Sequence, residues 1–400
     1  MSEGSTPTPP SERIVGLDAL RGLALLGILI VNIRLFSMPE VVLLNPTAYG
    51  DFSGANYWAW FAGHVLVEQK FITLFTLLFG AGVALFTRNR ERDGDNALAL
   101  HVRRSAWLVA FGLLHAYLLW YGDVLVAYGL TALWVVFARD RPARWQAVVG
   151  VALLAVPSLT ETAAAVFTDP ATYAASWRPP DAALRAEVAA YRGGWVEQLR
   201  HRVPSAFTRQ TSGYLASTGW RVSGAMLLGM ALYDRGVLTN DRSERFYRRL
   251  VAVGGSVGLS LTLAGVWFIH ANDWTPAAGL LWGQFYYWGS FPMALAYVGL
   301  VMLSAKRRPD GRLTRTLAAV GRTAFSNYLL QSALATTVFY GHGLGWFGRV
   351  SRVEALGVVA AVWAVQIALS VLWLRRYRYG PMEWLWRALT YGERPPLRAD

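Results

Sequence analysis

Long apolar blocks dominate this chain, and polar residues collect in the gaps between them. The blocks keep neither the 3.6-residue period of an amphipathic surface helix nor the alternation of a half-buried strand. They fall at roughly 16–36, 67–86, 104–121, 123–138, 146–167, 214–233, 249–269, 279–303, 316–340 and 354–374. A membrane span needs about 20 apolar residues at about 1.5 Å of rise each. The third and fourth blocks are short, and "YGD" at 121–123 reads as a tight turn between them. The pattern predicts an all-α fold: a polytopic membrane bundle of about ten transmembrane helices.

Composition agrees. The 400 residues are 54% hydrophobic and 16% charged, whereas a soluble domain carries about 25% charge. The 18 Trp suit a chain anchored at two interfaces. "NYWAWFAGHVLVE", ahead of the second block, reads as an interfacial helix with Trp58 and Trp60 at headgroup level. With no cysteine, disulfides, thiol nucleophiles and Cys-ligated metals are excluded. The opening "MSEGSTPTPPSER" makes residues 1–15 a disordered tail, and the first block, lacking a cleavage site, reads as an uncleaved signal anchor. The bundle then covers 16–375, and 376–400 forms an amphipathic tail in which "GPMEWLWRALTYG" is too short to cross and lies on the surface.

The net charge of +13 would suggest nucleic acid in a soluble protein. Here it sits in short loops, where it sets orientation, and no nucleic-acid partner is expected. Arg88, Arg90, Arg92, Arg103 and Arg104 crowd one loop, Arg139, Arg141 and Arg144 another, and further clusters follow at 235–249, 306–315 and 375–378. The alternate loops 37–57 and 270–278 carry no Lys or Arg. Both termini are therefore expected in the cytoplasm. The long loop 168–210 is expected outside, broken by Gly193 and Gly194 into two short helices.

Charge in a bilayer core costs roughly 2.5–3.5 kcal/mol per residue on insertion scales, so intramembrane polar residues define the candidate site. Asp18 and Arg21, three apart, share a face near the cytoplasmic end of the first span. They either pair and snorkel to headgroups or serve a ligand. Asn32, Lys70 and His115 lie toward the outer half. Lys70 is either an interfacial snorkeller or part of the site; His115 is either a donor to a neighbouring helix or a base. Asp123 follows His115 by eight residues, which on a helix leaves their side chains within about 80° of azimuth. Asn327 and Gln331, four apart, share one face at mid-depth as interhelical glue or as ligand contacts. His342, in "GHGLG", reads as a surface-loop residue. No zinc motif, P-loop or nucleophile elbow is present, and Gly80 and Gly82 read as helix-packing positions.

Several segments carry a resemblance: "LDALRGLALLGILIVNI", "KFITLFTLLFGAG", "HAYLLWYGDVLVAYGL", "GAMLLGMAL", "GRTAFSNYLLQS" and "GPMEWLWRALTYG". Together they resemble the YeiB family of bacterial inner-membrane proteins, a family defined as a domain of unknown function (418) and distantly grouped with transmembrane acyltransferases. The resemblance implies a multi-pass protein of the bacterial plasma membrane. Asn32 matches an active-site Asn of the heparan glucosaminide acetyltransferases; the His that follows in those enzymes is missing from "NIRLFSMPEVVLLNP".

The combined expectation is an acyltransferase-like enzyme. Cytoplasmic acyl-CoA would be a co-substrate, held by Arg21, Arg103 and Arg104, with Asp18 steadying Arg21. His115, oriented by Asp123, would deprotonate the acceptor, and Lys70 or Asn32 would stabilise the oxyanion. The acceptor would be an extracytoplasmic glycan, lipid or small molecule. No resident cofactor or metal is expected. The alternatives are a transporter or lipid flippase without covalent chemistry, and an envelope scaffold. Broken helices would favour the transporter, and none is evident in the sequence.

Overall fold

The computed structural model describes residues 14–398. The tail expected at 1–15 lies outside them, apart from Ile14 and Val15. Among the described residues every named element is a helix, and one isolated bridge, Tyr377 to Arg398, is the sole extended pairing.

The first block forms α1 (Val15–Ser37). The interfacial segment and second block form α2 (Gly54–Leu66) and α3 (Lys70–Arg92), separated by a kink where Gln69 takes φ +65°. Next come α4 (Ala97–Leu114), which runs on through a π-helical turn at His115–Leu119, then α5 (Leu125–Val135) and α6 (Ala143–Phe167). The long loop folds as three helices rather than two: α7 (Ala171–Trp177), α8 (Asp181–Arg192) and α9 (Trp195–Gln210). Gly193 and Gly194 do separate α8 from α9. The C-terminal half comprises α10 (Gly219–Asp234), α11 (Glu244–Ala271), α12 (Pro276–Arg307), α13 (Arg312–Arg322), α14 (Ala324–Phe339), α15 (Arg352–Trp373) and α16 (Pro381–Tyr391).

Among the described residues, seven helices are long and apolar enough to cross a membrane: α1, the kinked α2–α3 pair, α4, α6, α11, α12 and α15. The fourth, sixth and ninth expected spans are built from shorter pieces. The ninth is broken: Thr323 leaves helical geometry (φ −113°, ψ 28°) between α13 and α14. Its hydroxyl turns instead to Ala319 O at 3.1 Å and Ser370 Oγ at 3.0 Å.

Burial sorts the helices into an inner and an outer ring. The apolar window of α1 is 72% buried and that of the α2–α3 pair 67%, against 22% for α6 and 28% for α11 and α15. The outer helices present Val148, Leu159, Trp267 and Leu372 outward, as a lipid-facing surface requires. Such a chain is an integral membrane protein.

The inner helices touch backbone to backbone. A Cβ on Gly22 would lie 2.0 Å from Leu317 O, and one on Gly321 1.8 Å from Asp18 O, so α1 and α13 cross at this glycine pair. Gly80 meets Met226 of α10 in the same way, as its packing role predicts, whereas a Cβ on Gly82 would meet only the Arg21 guanidinium, at 3.8 Å, and no neighbouring helix backbone.

The Arg-rich loops and α16 gather at one end of the bundle, termed the basic end. The helices α7–α9 close the other. Arg202 of α9 is fully buried there and donates to Tyr117 O at 3.0 Å and Leu119 O at 3.1 Å, occupying carbonyls left at the end of the π-helical turn. His342 meets Gln198 of α9 at 3.0 Å and serves this closure.

Candidate functional site

His115 is placed by the π-helical turn that ends α4. Such turns occur mostly as single-turn bulges in α-helices and are frequent at functional sites; a second one, at Tyr214–Thr218, precedes α10. The chain then leaves the helix at extended Trp120 (φ −155°, ψ 124°) and folds back. Asp123 thus reaches His115 from the connection, and not along a shared helix as the eight-residue spacing suggests. Its Oδ1 accepts the N–H of Val126 at 2.9 Å, capping α5, while Oδ2 lies 2.8 Å from His115 Nδ1. Gly112 makes room for the approach, since a Cβ there would lie 2.9 Å from Asp123 Oδ1 and 2.6 Å from Val126 N.

The other imidazole nitrogen, Nε2, lies 2.9 Å from Ser332 Oγ on α14. The side chains of His115 and Asp123 are 1% and 0% exposed, and Ser332 is 0% exposed. Carboxylate, imidazole and hydroxyl therefore stand in series in a dry setting. With the carboxylate fixing the proton on Nδ1, Nε2 is an acceptor facing the serine hydroxyl. One turn before Ser332, the Tyr328 hydroxyl accepts from Val124 N at 3.2 Å, and its ring lies 5.0 Å from the imidazole.

A cavity of about 680 Å³ runs from the basic end to this point, within the size range of small-molecule sites. Its inner wall is Phe75, Val124, Tyr128 and Tyr328; its mouth carries Arg21, Arg90, Arg92, Arg104 and Arg387 against Asp18 and Glu383. Tyr328 and Val124 stand between the cavity and the His115–Ser332 pair. The helix α16 forms one wall: Trp386 donates to Arg104 O at 2.9 Å, and the Arg104 guanidinium lies 4.4 Å from the Trp386 ring centroid. Among the described residues, no group of three or more His, Asp or Glu side chains is arranged to hold a metal.

The other candidate residues lie apart from this pair and largely from one another. Asp18 and Arg21 pair at 2.9 Å on the cavity wall, and Arg104 lines it too. Arg103 is exposed beside Gly392, outside the lining. Lys70 is buried elsewhere. Its Nζ donates to His64 O at 2.7 Å across the α2–α3 kink, next to Glu68, which takes Arg34 at 2.7 Å and His64 at 3.1 Å. Among the described residues no hydrogen bond joins Lys70 to His115, and Asn32 is half-buried without one of its own. Asn327 donates to Thr323 Oγ1 at 2.9 Å and Ser370 Oγ at 2.8 Å, tying α14 to α15 as interhelical glue. Gln331 is fully buried with neither amide atom hydrogen-bonded.

Sequence reasoning passed over Ser332 and Tyr328. Both lie inside "NYLLQS", four apart on one helix face. Asn327 and Gln331 form the polar stripe visible in this segment, and a serine in an apolar helix carries no desolvated charge to announce it.

The family described as "Protein of unknown function (DUF418)" matches residues 232–393. The chain is 35% identical over 393 residues to "Uncharacterized protein YeiB" of Escherichia coli (strain K12), covering 95% of this chain and 96% of that one. It is 28% identical over 418 residues to "Uncharacterized protein YxaH" of Bacillus subtilis (strain 168), covering 98% and 97%. It is also similar, at 26% over 392 residues covering 98% and 97%, to an "Uncharacterized 39.9 kDa protein in amylase 3'region" of Bacillus acidopullulyticus. No solved structure matches the chain. With 35% identity sustained over 95% of its length, the chain belongs to the YeiB family.

Proposed function

We propose that this protein is a membrane acyltransferase of the bacterial plasma membrane, taking an acyl group from acyl-CoA at the basic end and passing it to a hydroxyl or amine acceptor from the opposite side. The observation that carries the reading is the His115–Asp123 pair, 2.8 Å apart, behind the inner wall of a basic-mouthed cavity. Arginines at the mouth suit the phosphates of a coenzyme A donor, and Phe75, Tyr128 and Tyr328 deeper in suit an apolar acyl arm. His115 Nε2, unprotonated, is the base. The basic end is cytoplasmic by loop charge. The acceptor is a glycan, a lipid headgroup or a small molecule.

A second reading, a transporter or flippase, draws on the break between α13 and α14. Transporter sites are often built on discontinuous helices whose freed N-terminal amides face the substrate. Here those amides are taken: Glu383 accepts Phe325 N at 2.7 Å and Ser326 N at 3.2 Å. That occupancy favours the enzyme.

The test is untargeted lipid and glycan mass spectrometry of a deletion strain, beside strains complemented with the wild type and with His115→Ala. An acyl mass difference restored by the wild type and not by His115→Ala is expected. Altered uptake with no acyl difference would replace the enzyme by the transporter.

A further inference from the structure

Ser332 has more company than interhelical adhesion needs. Its hydroxyl has a local acceptor in Tyr328 O at 3.3 Å, yet it sits closer, at 2.9 Å, to His115 Nε2. Behind that nitrogen stands a carboxylate at 2.8 Å. Three separate segments supply these groups: the end of α4, the 120–124 connection and α14. A carboxylate that fixes an imidazole tautomer, whose free nitrogen faces a hydroxyl, is the arrangement that activates an oxygen nucleophile. We propose that Ser332 is the acyl carrier of this protein: the acyl group rests on its Oγ as an ester between donor and acceptor. This rests on the acyltransferase reading above.

The shape of the cavity supports a two-step transfer. It opens at the basic end and is closed at its inner end by Val124 and Tyr328, so a donor fills it from one side. An acceptor arriving from the other side meets the serine only after the donor has left an acyl group there. Tyr328 stands between, with its hydroxyl held at 3.2 Å by Val124 N, and rotation of that side chain joins cavity to serine. The neighbouring Gln331 adds a buried amide N–H pair with no acceptor in the resting state, the condition of a donor reserved for a developing oxyanion.

In the first step Ser332 Oγ attacks the thioester carbonyl carbon. The O–C bond forms and the C–S bond breaks. The serine proton passes to His115 Nε2 and from there to the departing thiolate, which leaves as coenzyme A thiol. In the second step the acceptor hydroxyl gives its proton to His115 and attacks the ester carbonyl. The bond to Ser332 Oγ breaks, and the imidazolium returns the proton to Oγ. No oxidant or reductant is required, and Asp123 keeps its charge throughout as a positioning residue.

The test uses the full chain in detergent micelles, with a long-chain alkyl fluorophosphonate and with radiolabelled acetyl- and palmitoyl-CoA as probes. The fluorophosphonate is expected to leave one adduct, mapped to Ser332 by peptide mass spectrometry. Labelling should fall at least 100-fold in Ser332→Ala and in His115→Ala. Because the chain has no cysteine, Ser332→Cys introduces a unique thiol; its acyl adduct should form from acyl-CoA and be released by neutral hydroxylamine. That variant also keeps the proposal open to test if Ser332→Ala folds poorly. A folded wild type that gives no adduct on Ser332 overturns the proposal. So does a Ser332→Ala protein that still transfers label to membrane acceptors while His115→Ala does not; this outcome leaves the transferase standing with direct transfer. Absence of His115-dependent transfer in the wild type, even with a labelled serine, removes the transferase reading itself.

Discussion

Glu383 on α16 accepts the backbone N–H of Phe325 at 2.7 Å, so a residue from the C-terminal tail caps the helix that carries Ser332. The same carboxylate takes Ser326 Oγ at 2.5 Å through its other oxygen. Thr323, at the cap position, makes no side-chain cap of its own. Glu383→Ala should therefore destabilise the fold by about 1.5–3 kcal/mol, the worth of hydrogen bonds to a charged group. Thermal unfolding in detergent should show a lower midpoint. Limited proteolysis should release the tail after 380, and Glu383→Gln should lie between the two. An unchanged midpoint in Glu383→Ala would dismiss the cap.

The Asp123 carboxylate has two duties that one substitution separates. Asp123→Asn keeps an oxygen for Val126 N and so keeps the α5 cap. Its amide nitrogen then faces His115 Nδ1 and drives the proton to Nε2, where the imidazole can no longer accept from Ser332. Fluorophosphonate labelling should slow by about 10²- to 10⁴-fold with little change in unfolding midpoint. Equal losses of labelling and stability would make Asp123 a structural residue only.

At the crossing of α1 and α13 there is no space for a methyl group. Gly321→Ala, whose Cβ would lie 1.8 Å from Asp18 O, should cost about 3 kcal/mol, the upper part of the overpacking range. Gly357→Ala is the control, because a Cβ there meets nothing within 4 Å. The measurement is the yield and melting midpoint of each purified variant, and similar values for the two would contradict the close crossing.

Loop charge predicts that the basic end faces the cytoplasm. Alkaline phosphatase fused within 175–195 should be active, and fused at 240 inactive. Activity at 240 would turn the protein over and put the basic cavity mouth outside.

Glu187 on α8 gives the capping helices a pH response. Burial raises its carboxyl to about 7, with the charge of Glu40 adding and the Glu40 N–H, at 3.0 Å, opposing. Arg209, paired with Glu40, Arg192 beside Tyr49, and the phenols of Tyr49, Tyr121, Tyr191 and Tyr340 make up the rest of its charged and titratable surroundings. A carboxyl raised in the fold holds its proton more tightly there than in the unfolded chain. Its stabilising contribution is full below the ordinary value of 4.5 and is lost as pH rises through about 7. Hydrogen exchange across 181–192 should therefore speed up, beyond its intrinsic pH dependence, between pH 5.5 and 8. Glu187→Gln should flatten that excess.

How much of this was legible in the sequence differs by residue. Apolar block length announced the helices, because the bilayer leaves the backbone no other partner than itself. The break at Thr323 did not show, because its cause lies in residues remote along the chain: Ser370, Asp18 and Glu383. His115 and Asp123 stood out as desolvated titratable groups, and the structure puts them side by side by a fold-back that helical spacing does not describe. Lys70 looked equally promising by charge and depth. The kink at Gln69 turns it toward the His64 carbonyl, and a backbone carbonyl leaves no trace in composition.

The π-helical turn at 115–119 makes the site sensitive to chain length as well as to side-chain identity. A π turn holds one residue more than the α-helical turn it replaces. Deleting any one of Tyr117, Leu118 or Leu119 would let α4 wind on regularly and swing everything beyond by about 100°. Trp120 would turn away from its stacking partner Phe36, 4.1 Å off in the native fold, and Arg202 would lose the pair of carbonyls that holds it. Among relatives of this protein, those that share its chemistry should therefore keep the number of residues between the histidine and the aspartate, even where every residue between them has changed.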